Sequence, residues 1–398
     1  MAVDSSRCHK FGPNIGRVVT GHEPWERRIE PADSALLSFD DALNEELDQQ
    51  NGAFPWWDGH SNWKTLTMIA DYLIQSVRGA REALVAASFA AKTHRESNYA
   101  ASVAYTNALR ARAKSGETTP EAAFAAIYDD DAAIRRERNI VSSAEHCFFH
   151  LGQTLDRLSA ALIIVGGFGV GDVVSADWGT IVGTPKRPGL VQDLAAPAPR
   201  NRVEPPATRG RALQEKLLEP VTRPDDFGPP GWLDWLRDTR NAMTHRSPAT
   251  KVLFLNGDAK RGLHIVRLFY RQGRWSELQS VIYGRPQHDQ TFWGAFITRP
   301  SEDILDGLCE SVCKLVVDLT GGMRACWDSR KAYPALIVQQ GSQWQKIQPT
   351  EPISAFDGYG EDVGSLVRQQ SIVSDDNFGR WQAAGVFGND DRYAEWLR

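Results

Sequence analysis

Apolar residues recur at helical spacing through two long stretches in the first half of the chain. The first stretch begins at Ser61, with Asn62 as an alternative N-cap, and keeps a helical period to Phe89. A further apolar run over residues 99–109 is expected to continue it. The second stretch covers residues 129–165, where three consecutive aspartates complement the N-terminus of a helix. These patterns predict two long helices.

Shorter helices are predicted on both sides of this pair. Residues 34–50 carry apolar side chains at helical spacing, and either Asp33 or Ser34 is expected to cap them. Pro120 follows two threonines, which is typical of a helix start. Residues 208–218 predict another short helix.

The period changes from helical to alternating after Pro248, which predicts strands. Turn-forming dipeptides such as Asn256-Gly257 separate the apolar runs, so an antiparallel meander is expected. The strand candidates are residues 252–255, 263–270, 278–283 and 292–298. A final helix is predicted from Ser301. The fold class expected is mainly α (α+β), a helical bundle with a small antiparallel β-meander inserted.

Pattern and composition together suggest a division of the chain. Residues 1–60 are predicted to form an N-terminal arm and residues 61–330 a helical domain. Within that domain, residues 166–230 are expected to be a linker and residues 251–299 the β insertion. Residues 331–398 carry weak, mixed signals and form a C-terminal extension.

Two local motifs invite a functional interpretation that their context does not favour. The glycine-rich residues 166–172 follow a predicted helix and lack the Lys-Ser/Thr pair of a phosphate loop, so a helix-ending turn is the better hypothesis. Trp56 and Trp57 lie in an aromatic turn and are predicted to be a packing lid, with a base-stacking platform as the alternative.

Composition is ordinary for a globular protein and excludes few functions. The chain has 398 residues, and its net charge of -5 argues against a protein that coats nucleic acid over its whole surface. No apolar run approaches the roughly 18 residues that a spanning helix needs, and the charged N-terminus is not typical of a signal peptide. The five cysteines are scattered and predict core thiols, a reducing cytoplasm and no zinc set.

Residues 231–246 stand out as one compact helix delimited by proline on both sides. Its apolar positions recur at helical spacing and predict a buried stripe of Trp232, Trp235, Leu236, Thr239 and Met243. Arg237, Asn241 and His245 fall four apart and share another face. Arg240 is one position off that row, and its long side chain is expected to swing toward the imidazole of His245.

The stretch Arg240-Asn241-Ala242-Met243-Thr244-His245 resembles the Arg-polar-x-x-x-His motif of HEPN-domain proteins, including the Asn after the Arg. The resemblance covers this motif and, loosely, the helical pattern around it. It implies a HEPN-like helical bundle and a metal-independent endoribonuclease, in the role of a toxin or an anti-phage defence effector. It also implies a homodimer in which two motifs form a composite site, and it allows an antitoxin or regulatory protein as a partner.

The residues suit such chemistry because RNA carries its own nucleophile, the ribose 2'-hydroxyl. His245 can accept the proton of that hydroxyl or protonate the leaving 5'-oxygen, and Arg240 can bind two phosphate oxygens at once. Asn241 is placed to orient the imidazole or to donate to the phosphate. Arg237 and Arg246 belong to a local basic cluster and are the predicted RNA-binding residues. Because no carboxylate cluster lies near the motif in sequence, neither a metal nor another cofactor is expected.

A second hypothesis belongs to a different class of function. The same helical module could be catalytically inactive and bind RNA, a nucleotide or a protein partner, since fold does not determine function. Glu145 and His146 are a tempting acid/base pair, but neighbours on a helix point about a hundred degrees apart, so they are expected not to converge.

Overall fold

A computed structural model of the chain describes residues 21, 23–48, 53–57, 63–116, 131–197, 201–245, 250–258, 262–274, 276–277 and 295–337. Within these ranges, the side chains of residues 63, 64, 109, 113, 245, 250–258 and 262–265 are not described. The protein is mainly helical, as the sequence pattern predicts. The predicted helix start at Pro120 lies outside the described residues.

The helices are α1 (Pro24–Arg27), α2 (Glu30–Glu46), α3 (Trp63–Lys114), α4 (Asp131–Gly166), α5 (Trp178–Val182), α6 (Leu190–Ala195), α7 (Arg209–Thr222), α8 (Trp232–His245) and α9 (Ser301–Ala332). Short 3-10 turns occupy Pro224–Asp226 and Pro334–Leu336. Strands β1 (Thr250–Asp258) and β2 (Gly262–Phe269) lie between α8 and α9. In the described part of the chain, no helix is both long enough and apolar enough to cross a membrane.

The long helices α3 and α4 pack antiparallel to each other. Near one end Arg157 donates to the backbone oxygen of Gly79 at 2.6 Å, and near the other Tyr105 donates to Glu137 at 2.7 Å. A stripe of alanines faces the core in the middle of α3, which lets neighbouring helices approach closely; its buried members are Ala80, Ala83, Ala87, Ala90 and Ala91. The two predicted long helices are confirmed.

The last turns of α4 are surrounded by protein on every side. All residues from Leu158 to Gly166 are buried. The backbone oxygens at this buried helix end have side-chain partners, as a buried terminus requires. Arg330 of α9 donates to Ile164 at 3.0 Å and to Val165 at 2.6 Å, and Gln214 of α7 donates to Gly166 at 2.9 Å. The predicted helix-ending turn follows directly, because Gly167 adopts a positive φ of 59°.

Helix α2 joins the same core, and its predicted start is wrong. It begins at Glu30 rather than at Ser34, because Pro31 is tolerated in the first turn of a helix. Asp33 is therefore not a cap. Its carboxylate instead receives a hydrogen bond from Arg81 of α3 at 2.7 Å, and both side chains are largely buried. Leu36, Phe39 and Leu43 of α2 are buried in the core.

The aromatic turn after α2 packs against α9, so the packing-lid prediction is confirmed. The ring of Trp327 lies 4.8 Å from that of Trp56 and 4.6 Å from that of Phe54. The guanidinium of Arg330 lies over the Trp56 ring at 5.6 Å, a cation–π contact. The described cysteines are buried free thiols, also as predicted: Cys147, Cys309, Cys313 and Cys326.

The sheet that the structure describes is a two-stranded antiparallel hairpin, in which Phe254 lies opposite Val266. Of the predicted meander, the candidate strand 278–283 and residues 292–294 lie outside the described residues. Phe296 makes a single antiparallel bridge to Tyr270, not a strand. Arg267 of β2 anchors the hairpin to the bundle, since its buried guanidinium pairs with Glu137 of α4 and donates to Asn98 of α3.

A buried histidine connects α3, α4 and α9. His94 Nδ1 donates to the backbone oxygen of Ile140 at 2.9 Å, so its bare Nε2 accepts from Ser301 at 2.7 Å and from Asn98 at 3.0 Å. Burial lowers the pKa of His94 from 6.5 to about 4, against the opposing hydrogen bond to Ile140. A neutral imidazole is therefore part of the folded state.

This histidine predicts a loss of stability in weak acid. Because its pKa is lower in the folded than in the unfolded state, the unfolded chain takes up the proton first as the pH falls. The free energy of unfolding should therefore fall by about 3 kcal/mol between pH 6.5 and 4 through this group alone. Denaturant titrations across that range should show a smaller fall for His94→Gln than for the wild type. An equal fall in His94→Gln and in the wild type would contradict this role of His94.

Candidate functional site

Helix α8 presents the motif and is fixed by its aromatic side. It follows Gly231, whose positive φ of 76° turns the chain after two prolines. Trp232 donates from Nε1 to the backbone oxygen of Pro224 at 2.7 Å, and Trp235 donates to that of Tyr270 at 3.1 Å. The predicted buried stripe is confirmed: Trp232, Leu236 and Thr239 are buried, and Trp235 and Met243 pack partly buried against the core.

The side chain of Arg240 extends from α8 to α4 and passes over Gly152. A Cβ atom built on Gly152 would lie 2.9 Å from Arg240 Nε and 3.2 Å from its Cγ, so a larger residue there would force the arginine side chain to shift. Beyond the glycine, Nη2 of Arg240 donates to Asp156 Oδ2 at 2.8 Å, and Nη1 donates to Asn241 Oδ1 at 3.1 Å. The side chain is 26% exposed, so the guanidinium is held at the surface.

Asp156 is a half-buried carboxylate with several partners. Besides Arg240, it accepts a hydrogen bond from the backbone N–H of Trp178 at 3.1 Å. Burial raises the pKa of Asp156 above its ordinary value. The N–H of Trp178 and the charge of Arg240 oppose that rise, whereas the neighbouring Asp177 adds to it. The ion pair thus holds a carboxylate that burial would otherwise favour in its neutral form.

A groove of about 580 Å³ opens beside this ion pair. One wall is α8, and the other is the segment around α5, which Asp177 caps by accepting from the backbone N–H of Thr180 at 2.9 Å. The charged and amide side chains at the groove are Asp156, Asp177, Arg237, Asp238, Arg240, Asn241 and Arg274. The groove combines hydrogen-bond donors and acceptors in a space large enough for a small ligand.

Arg274 reaches the groove from the segment that follows β2. Its Nε lies 2.9 Å from a carboxylate oxygen of Asp238, and Arg237 also approaches Asp238, at 4.0 Å. Arg237 makes a closer pair with Asp234, at 3.1 Å. Gly273 allows this segment to lie against α8, since a Cβ there would come within 2.7 Å of the backbone nitrogen of Thr239. Each arginine of the groove therefore has an aspartate partner.

The predicted site residues are distributed as follows. Arg237, Arg240 and Asn241 line one groove, and Asn241 is exposed. His245 is the last residue of α8, but its side chain lies outside the described residues, as does the whole of Arg246. The expected approach of Arg240 to the imidazole is therefore untested. The guanidinium contacts Asp156 and Asn241.

Glu145 and His146, the adjacent acid/base pair considered from the sequence, lie on α4. His146 is exposed, and its ring lies 6.3 Å from that of His150 one turn later. His150 is half-buried, donates from Nδ1 to Gln153 Oε1 at 3.1 Å, and has a pKa that burial lowers. Glu145 and His146 are not part of the groove lining.

Sequence reasoning missed Asp156, Gly152, Asp238 and Arg274 as site residues. Helix α4 brings the carboxylate of Asp156 to Arg240. No signal in the chain marks Asp156, which lies 84 positions before its partner. Among the described residues, no group of three His, Cys, Asp or Glu side chains is arranged to hold a metal ion.

Comparison of the chain with protein-family models, curated proteins and solved structures found no match. The functional interpretation therefore depends on the geometry of the groove and on the motif.

Substitution of Gly152 tests directly how the side chain of Arg240 is held. In Gly152→Ala the new methyl group displaces the guanidinium from Asp156, so the carboxyl loses its cation and its pKa should rise further. Carboxyl NMR titration measures this shift. Gly79→Ala is the matched control, because it places a methyl group 3.0 Å from the side chain of Arg157 in a similar way but away from the groove. An unchanged Asp156 pKa in Gly152→Ala would contradict this geometry.

Proposed function

We propose that the protein is a metal-independent endoribonuclease of HEPN type that cleaves RNA through the ribose 2'-hydroxyl. The observation that carries the proposal is the position of Arg240. Its guanidinium lies at the edge of a groove, between Asp156 and Asn241, on the helix that ends at His245. A toxin or an anti-phage defence effector is the biological role that goes with this activity.

Arg240 is the proposed ligand of the scissile phosphate. Two of its terminal nitrogens already donate to oxygen atoms, one of Asp156 and one of Asn241. A phosphate offers two oxygens to the same planar fork, and this geometry favours Arg over Lys. Stabilisation of the negative charge that develops on the phosphate is then the main task of this side chain.

His245 and Asn241 supply the remaining roles on α8. His245 takes the proton of the 2'-hydroxyl or gives one to the leaving 5'-oxygen, because its ordinary pKa lies near neutrality. Asn241 lies one helical turn before it, orients the imidazole or donates to the phosphate, and is exposed. Arg237, at the same groove, and Arg246, next along the chain, are the proposed contacts to neighbouring phosphates.

One motif supplies one histidine, whereas cleavage requires both a base and an acid. We therefore propose that two copies of the chain bring two motifs together in a homodimer with a composite site. An antitoxin or another regulatory protein is a further proposed partner, because an uncontrolled ribonuclease would damage the cell that makes it.

A second candidate function is a catalytically inactive module that binds RNA, a nucleotide or a protein. The pairing of every described arginine of the groove with an aspartate favours it. Arg240 pairs with Asp156 at 2.8 Å, and Arg274 pairs with Asp238 at 2.9 Å. Cations neutralised in this way attract phosphate less strongly than free ones.

We expect Arg240 and His245 to act as one unit in cleavage. Arg240→Ala and His245→Ala should each remove nearly all activity, and the double variant should be scarcely worse, because partners in one step are not additive. Arg240→Lys should also lose most activity, since it keeps the charge without the fork. Initial rates on a fluorescent RNA measure all four. The exposed residues Arg271 and His146 provide the matched controls Arg271→Ala and His146→Ala. A folded, fully active Arg240→Ala would disprove the assignment.

We also expect cleavage to proceed in EDTA and to require two chains. Products should carry a 2',3'-cyclic phosphate or its hydrolysed form, and deoxyribose at the cut position should block cleavage, because the 2'-hydroxyl is the nucleophile. Product-end analysis tests this chemistry. Activity lost in EDTA and restored by magnesium would rule it out.

Light scattering over a dilution series, alongside activity, tests the composite site, and a fully active monomer would exclude it.

A further inference from the structure

A second cavity continues the groove away from Arg240. It has a volume of about 590 Å³ and lies between α8 and the segment that contains α5 and α6. The two cavities have a common lining, formed by Trp178, Gly183, Thr184, Pro185, Arg237 and Arg274. The two cavities therefore lie side by side, and together they are called the channel.

The wall formed by the segment between α5 and α6 is preorganised. Thr184 and Arg187 pair their backbones in both directions, at 2.8 and 3.1 Å. Gln192 bridges the segment, since it accepts from the N–H of Gly189 at 2.8 Å and donates to the oxygen of Val182 at 2.9 Å. Gly183 has a positive φ of 81° and its Cβ position lies 2.8 Å from the nitrogen of Gly189, so no side chain fits there. This wall of the cavity is thus held by hydrogen bonds within the segment.

The lining of the second cavity is mixed and is more polar than that of the first. Its apolar side chains are Val182, Pro185, Pro188, Val191, Val221 and Leu233. Its polar side chains include the carboxylates of Asp225 and Asp234, and Gln192. Asp234 is 77% exposed in the side chain, and its pair with Arg237 is therefore weak. Carboxylates repel a phosphate but accept hydrogen bonds from ring N–H and amino groups.

We propose that this second cavity is a nucleobase subsite, which holds the base of one RNA nucleotide whose phosphate lies at Arg240. A base is a planar ring with hydrogen-bonding groups at its edge, which matches a cavity that offers both apolar side chains and hydrogen-bond acceptors. Arg237 and Arg274 lie where the cavities meet and contact the connecting sugar and phosphate. This subsite rests on the proposed function, because it deepens the assignment of the same groove to RNA.

The test fills the channel with a bulky side chain. Pro185 is exposed and lines both cavities, so Pro185→Trp should obstruct the passage between them. Lys186 is the next residue, is also exposed and lines neither cavity, so Lys186→Trp is the matched control. Arg274→Ala, with the exposed Arg271→Ala as its control, tests the junction of the cavities.

Calorimetric titration with each of the four ribonucleoside 5'-monophosphates gives a readout that does not depend on cleavage. We expect at least one of them to bind the wild type, with affinity reduced about tenfold or more in Pro185→Trp and clearly reduced in Arg274→Ala. Lys186→Trp and Arg271→Ala should bind like the wild type. Failure of all four nucleotides to bind the wild type, or equal binding by Pro185→Trp, would overturn the subsite.

Cleavage of RNA libraries separates the subsite from the proposed activity. If wild type and Pro185→Trp cleave with the same rate and the same preference for neighbouring bases, the subsite is wrong and the ribonuclease proposal stands. If nucleotides bind as expected but the wild type cleaves no RNA, the subsite stands and the ribonuclease proposal is wrong. Cleavage by Pro185→Trp with a raised KM and a lost base preference supports both.

Discussion

The architecture depends on the complete burial of the last turns of α4. Residues 158–166 have no side exposed to water, so other elements must surround this helix and must also satisfy its terminal backbone oxygens. α7 and α9 do both, through Gln214 and Arg330. Burying an arginine is costly, and the burial lowers the pKa of Arg330. That cost is offset because its guanidinium donates to the backbone oxygens of Ile164 and Val165, and a hydrogen bond from a charged group is stronger than one from a neutral donor.

A helix fixed in this way gives the candidate site a rigid base. Gly152 and Asp156 lie less than two turns before the buried part of α4, so their positions are set by the core. Arg240 passes over α4 at Gly152, where there is no side chain, and it meets Asp156 one turn further along. The groove is therefore shaped by a contact between α4 and α8, not by α8 alone. For the same reason, a methyl group at Gly152 is a local change with a defined effect on the arginine.

Sequence periodicity was sufficient to predict the long helices and the buried stripe of α8, because the apolar positions of both repeat over several turns. It failed at the start of α2, where Asp33 has the residue type of a cap but pairs with Arg81 from another helix. It also did not reveal Asp156 or Arg274, since ion pairs between distant elements leave no local pattern. The motif showed which helix to examine, whereas the partners of Arg240 required the fold.

The charged side chains of the groove determine how an anion can bind there. Its two cavities are lined by three arginines and five aspartates, so a phosphate at Arg240 must compete with Asp156 for the guanidinium. Once displaced, Asp156 would keep its burial and its neighbour Asp177, which both raise its pKa, and would lose the cation that lowers it. Loss of Arg240 as a partner would therefore raise the pKa of Asp156 further. An anion that displaced Asp156 in this way would bind more favourably at lower pH.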